Sequence, residues 1–148
     1  MSVRFETAAR PRINDPEMLM AEKGRSIHVD GVKHGAPIPM GARVGNMIFS
    51  SGIMGTDPST GKVPEDLESQ CVFAFANMKT MLENAGATTK SVGTIKVYMK
   101  DRSQREAVNR PWLEMFPDED DRPARHAIEY EAFPPGVLVQ LEIVAVVD

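Results

Sequence analysis

The last stretch of this 148-residue chain, Val137 to Val147, is apolar on both faces of an extended strand except at Gln140 and Glu142. A strand that is apolar on both sides is most stable in the middle of a sheet, with cover above and below. Side chains two residues apart share a face, so Gln140 and Glu142 stand side by side in apolar surroundings. Buried polar groups of that kind need partners or a ligand. The segment before it, Arg122 to Phe133, also reads as a strand, and Pro134-Pro135-Gly136 reads as the turn of a hairpin joining the two. A turn centred between the two prolines sets Arg125 opposite Val144, not opposite Gln140.

Upstream, the run Ser26 to Val32 is a short strand candidate. Gly45-Asn46 separates two strand-like runs, Gly41 to Val44 and Met47 to Met54, as a tight hairpin turn does. From Pro64 to Ala85, Leu67, Cys71, Ala74, Phe75, Met78 and Leu82 recur at helical spacing, and Gly86 is placed to stop the helix. Thr94 to Lys100 alternates as a strand. Asp101 to Ser103 then supplies caps for a second helix through Phe116, which Pro111 kinks or restarts. This order predicts an α+β fold, a mixed sheet of roughly six strands with two helices on one face. The other face then needs cover of its own, and a second subunit supplies it most simply.

The length and apolar content suit one domain over residues 26–148, preceded by an irregular arm over residues 1–25 that carries Pro11, Pro16 and Gly24. A formal charge of -4 gives RNA or DNA no concentrated basic face, so no nucleic acid is expected as partner. Arg4, Arg10 and Arg12 read as a solvated arm. The single Cys71 has no disulfide partner within the chain, no run is apolar enough to span a bilayer, and no leader pattern opens the chain. A cytoplasmic location away from membranes is expected. His28, His34 and His126 lack metal-ligand spacing, and Asp118 to Asp121 reads as a solvated loop, so neither metal nor cofactor is expected.

Several short segments, taken in order, resemble the Rid family, also called YjgF or L-PSP proteins. They are Gly45-Asn-Met-Ile-Phe-Ser-Ser51-Gly52, Asp57-Pro58-Ser-Thr-Gly61, Glu83-Asn-Ala-Gly86-Ala, Val97-Tyr-Met-Lys-Asp101, Arg122-Pro-Ala-Arg125, and Pro134-Pro-Gly with the final Leu-Glu-Ile-Val-Ala strand. The resemblance runs from about Pro37 to the C-terminus. It implies a chorismate-mutase-like (YjgF-like) fold and a homotrimer with small-molecule clefts between subunits. In the best-known branch it also implies hydrolysis of reactive imines or enamines derived from amino acids. Arg125 matches the family arginine that holds the substrate carboxylate, a task suited to a planar bidentate guanidinium. Ser51 and Gly52 match the strand end lining the cleft.

The active deaminases of the family carry glutamate at the position of Gln140, tyrosine at that of Ile38 and cysteine at that of Ala127. An amide has no useful basicity, so Gln140 can orient water or ligand without acting as general base. Losing such a base typically removes about 10²- to 10⁴-fold in rate. Glu142 is the nearest carboxylate on the same strand face. Two readings follow: an enzyme that hydrolyses 2-imino acids held by Arg125, with Gln140, Ser51, Gly52, Ile38 and Glu142 around them, or a non-catalytic trimer that senses a carboxylate-bearing metabolite. An endoribonuclease fits the acidic charge poorly.

Overall fold

The computed structural model describes residues 24–148, so the expected arm lies outside the described residues up to position 23. Among the described residues seven strands and two α-helices follow one another: β1 (Ser26–Ile27), β2 (Gly41–Val44), β3 (Met47–Ser50), β4 (Ile53–Met54), α1 (Leu67–Asn84), β5 (Val92–Met99), α2 (Glu106–Met115), β6 (Ala124–Glu129) and β7 (Val139–Val146). All seven strands form one mixed sheet in the order β1-β2-β3-β7-β5-β6, with β4 also paired to β7.

Local chemistry sets the element ends. Asp66 caps α1 by accepting from the Ser69 backbone N–H at 2.9 Å, and Gly86, at φ 78°, ends the helix in a conformation that favours glycine. Asp101 accepts from Ser103 N at 2.9 Å and opens a short 3₁₀ turn, Arg102–Gln104, that leads into α2. Pro111 lies inside α2 without ending it. The Gly45-Asn46 hairpin forms as expected between β2 and β3, with Val44 paired to Met47 and only Gly45 at positive φ, as a II′ turn requires.

The expected hairpin of the last two strands does not form. β6 pairs in parallel with β5, in register Ile95 with Arg125, while β7 pairs antiparallel with the other edge of β5. The turn itself is real: Val137 N donates to Pro134 O at 3.1 Å, and Gly136 has φ 83°. With proline at its first central position and positive φ at the second, it is a type II turn, whose twist splays flanking strands. The chain therefore steps over the end of β5 and returns on its far side. Arg125 consequently faces neither Val144 nor Gln140 across a ladder.

The helices cover one face of the sheet. Ile48, Ile53, Ile95, Val97, Leu141 and Ile143 are fully buried there against Phe75, Met78, Met81 and Leu82 of α1. The opposite face carries Val44, Met47, Phe49 and Val146, each more than a third exposed in the single chain. The central strand β7 is thus flanked by β3, β4 and β5, as its composition demanded, yet only one of its faces is covered within one copy. Among the described residues no helix is long and apolar enough to cross a membrane.

Candidate functional site

The residues singled out from the sequence fall into two groups on opposite faces of the sheet. The first centres on Gln140. Phe49 pairs with Val144 and Ile53 with Leu141, so three residues on one side (50 to 52) oppose two on the other (142 and 143). This is a β-bulge, a device that re-aims a strand beside a functional site. Ser50 repairs the broken ladder by accepting from Ile143 N at 2.7 Å through its hydroxyl. Ser51 N donates to Met40 O at 2.9 Å, which holds the Pro37-Ile38-Pro39 segment beside the bulge. Gly52 lies directly against the Gln140 side chain: a Cβ built there would meet Gln140 Oε1 at 2.6 Å. The absence of a side chain at position 52 is what leaves room for the amide.

Around Gln140 the open face is mixed in character. Glu142, two residues on, pairs with Lys96 of β5 at 3.5 Å, with both side chains nearly half exposed. Tyr98 is the cross-strand neighbour of Gln140, and its ring begins an edge-to-face series with Tyr130 (5.9 Å) and Phe133 (5.0 Å from Tyr130). Ile38 is 48% exposed and lines a hollow of about 700 Å³ with His28, Asp30 and His34. Burial there lowers the His34 pKa below its usual value, so its imidazole favours the neutral form.

The second group centres on Arg125. Its register partner Ile95 points to the helix-covered side, so Arg125 does too, on the edge strand β6. The guanidinium lies over the Trp112 ring at 4.8 Å, and Nη2 donates to Asn109 Oδ1 at 2.7 Å. Nη1 is buried without a partner. No carboxylate pairs with it: Lys96 with Glu142 is the only ion pair among the described residues. Burial, and then the charge of Arg105, lower the Arg125 pKa from its ordinary value, the signature of a cation lacking a counterion.

In one chain these groups do not meet. Arg125 and Gln140 are separated by β5, roughly 10 Å across two strand spacings and about 10 Å along the strands, since Arg125 pairs with Ile95 and Gln140 with Tyr98, and their side chains leave the sheet in opposite directions. Sequence reasoning did not single out Asn109, Trp112 or Lys96 as site residues. The i, i+3 spacing of Asn109 and Trp112 on one helix face was the available signal. Cys71 is buried, and burial pushes its thiol up to about 12, which removes it as a nucleophile.

Residues 37–147 match the family model described as endoribonuclease L-PSP. A RutC family protein of Pyrococcus abyssi is 35% identical, over 74% of this chain and 90% of that protein. The Escherichia coli 2-iminobutanoate/2-iminopropanoate deaminase is 32% identical over 74% of this chain and 87% of its own length. The crystal structure of RidA from an Antarctic Psychrobacter species superposes with a TM-score of 0.76 at 27% identity, covering 83% of this chain and 99% of that one.

Proposed function

Since the chain belongs to the endoribonuclease L-PSP family, that of the Rid and YjgF proteins, we propose that it binds and slowly hydrolyses small 2-imino acids in clefts shared between the copies of a homotrimer. The observation that carries this reading is the Arg125 guanidinium, held through Nη2 by Asn109 with a buried Nη1 that has no partner and no carboxylate in ion-pair reach, a cation whose hydrogen-bonding capacity is unfilled. The separation of the two residue groups supports the shared cleft: Arg125 and Asn109 come from one copy, and Gln140, Gly52, Ser51 and Ile38 from the next. The uncovered sheet face with Val44, Met47, Phe49 and Val146 gives such an assembly its apolar contact.

In the reaction a water oxygen adds to the C=N carbon, and the proton it loses goes to the imine nitrogen. The C–N bond then breaks as the proton of the new hydroxyl passes to the nitrogen, which releases ammonia and leaves a 2-oxo acid. Gln140 holds the water through its amide oxygen but takes no proton, so the acceleration comes from positioning and from the guanidinium field. Glu142 is a poor substitute base while Lys96 holds it. That pairing favours a second reading, in which the cleft binds its metabolite without turnover.

The test supplies freshly generated 2-iminopropanoate or 2-iminobutanoate and follows ammonia release for the wild type, Gln140→Glu and Arg125→Ala. Wild-type turnover that Arg125→Ala abolishes supports hydrolysis. A wild type equal to buffer, with activity gained by Gln140→Glu, supports the binding reading. Wild-type turnover above buffer that Arg125→Ala leaves unchanged contradicts both.

A further inference from the structure

Arg105, Asn109 and Trp112 stand at successive turns of α2 and its lead-in, at spacings that place them on one face. The helical ladder already includes Arg105, whose carbonyl accepts from Asn109 N at 3.0 Å. The last two of these residues clasp Arg125, so Arg105 lies one turn further along the same wall, exposed at its rim. Two guanidinium groups thus share one wall. Among the described residues neither has a carboxylate within ion-pair distance. The nearby acids are engaged otherwise: Glu106 accepts from Asn109 Nδ2 at 3.3 Å, and Glu129 accepts from Arg102 N at 3.5 Å. The closeness of Arg105 also registers in the lowered proton affinity of Arg125. Like charges held together cost free energy that a bound anion removes.

Resting on the carboxylate-binding cleft proposed above, we propose that this wall recognises a diacid, a 2-imino or 2-oxo acid with a second carboxylate, Arg125 holding the first carboxylate and Arg105 the second. A monocarboxylate leaves Arg105 without a counterion. A diacid neutralises both cations, one in the half-buried fork and one at the solvent edge.

The test is calorimetric titration of the full chain at low salt with 2-oxobutanoate and with 2-oxoglutarate, stable stand-ins that need no turnover. The wild type is expected to bind 2-oxoglutarate about tenfold more tightly, the worth of one further charge-assisted contact at an exposed rim. Arg105→Ala brings the ratio of the two affinities to about one, and Arg105→Glu reverses it. Equal wild-type affinities, or a preference unchanged in Arg105→Ala, overturn the diacid assignment while the cleft stands. Binding of neither acid, or equal binding by wild type and Arg125→Ala, removes the cleft reading and this inference with it.

Discussion

Gly52→Ala isolates the positioning role of Gln140 from the stability of the fold. The added Cβ would lie 2.6 Å from Gln140 Oε1 and 3.1 Å from its Cδ, against an ordinary contact of about 3.5 Å. The amide end must therefore retreat by about 1 Å, and as the tip of a flexible side chain it can do so. The displaced rotamer costs about 0.5–1.5 kcal/mol. Replacing glycine by alanine at a negative φ returns about 0.4–1 kcal/mol through the unfolded chain. The two nearly cancel, so the melting temperature should stay within about 3 °C of the wild type. Function should not escape so lightly, because a displacement of about 1 Å at a positioned group can cost about 10²-fold in rate. Differential scanning calorimetry beside ammonia release from 2-iminobutanoate reads both quantities. An unchanged rate with an unchanged melting point would refute the assignment of Gln140 as the water-holding group.

Other perturbations test the scaffold. Gln70 is fully buried and donates to Pro64 O (2.7 Å) and Gly136 O (2.8 Å) while accepting from Leu138 N (2.9 Å). Gln70→Ala orphans all three and should lower stability by about 3 kcal/mol in urea unfolding; a loss below about 1 kcal/mol would show that the type II turn does not depend on it. Asn109→Ala frees Nη2 of Arg125 and should weaken 2-oxobutanoate binding about tenfold with little change in melting point. Unchanged affinity would detach Asn109 from the site. Burial raises the Cys71 thiol from its ordinary 9.0 to about 12 in the fold. Because the unfolded chain ionises first, stability should be intact below pH 9 and fall between pH 9 and pH 12, by up to about 1.4 kcal/mol per pH unit. Equal slopes for wild type and Cys71→Ala over that window would contradict the buried, neutral thiol.

Much of the fold was legible because its signals are local. The helical spacing of Leu67, Cys71, Ala74 and Phe75, the Gly45-Asn46 turn and the Gly86 stop each report a conformation that neighbouring residues enforce. What the chain did not disclose is partnership across space. Pro135 and Gly136 announced a turn correctly, but whether flanking strands pair depends on turn type and on β5 lying between them. The bulge at residues 50–52 was hidden for a related reason: Ser51 and Gly52 look like ordinary strand residues until their ladder partner is known. Gln140 and Glu142 showed themselves as a polar interruption in an apolar strand. Arg125 carried no such mark, and its matching to a carboxylate-holding arginine came from resemblance. Its local partners, Asn109 and Trp112, are brought to it only by the packing of α2 over β6.

The claim on which the rest depends is that Arg125 of one copy and the Gly52 and Gln140 wall of another enclose one ligand. The direct test co-expresses Arg125→Ala with Gly52→Leu, which fills the opposite wall, and counts 2-oxobutanoate sites by calorimetry in the mixed assemblies. Random mixing in a closed ring should restore about a quarter of the wild-type sites, since some interfaces then join two intact walls. If each single variant and the mixture alike show no binding, the site does not span two copies and the account is wrong.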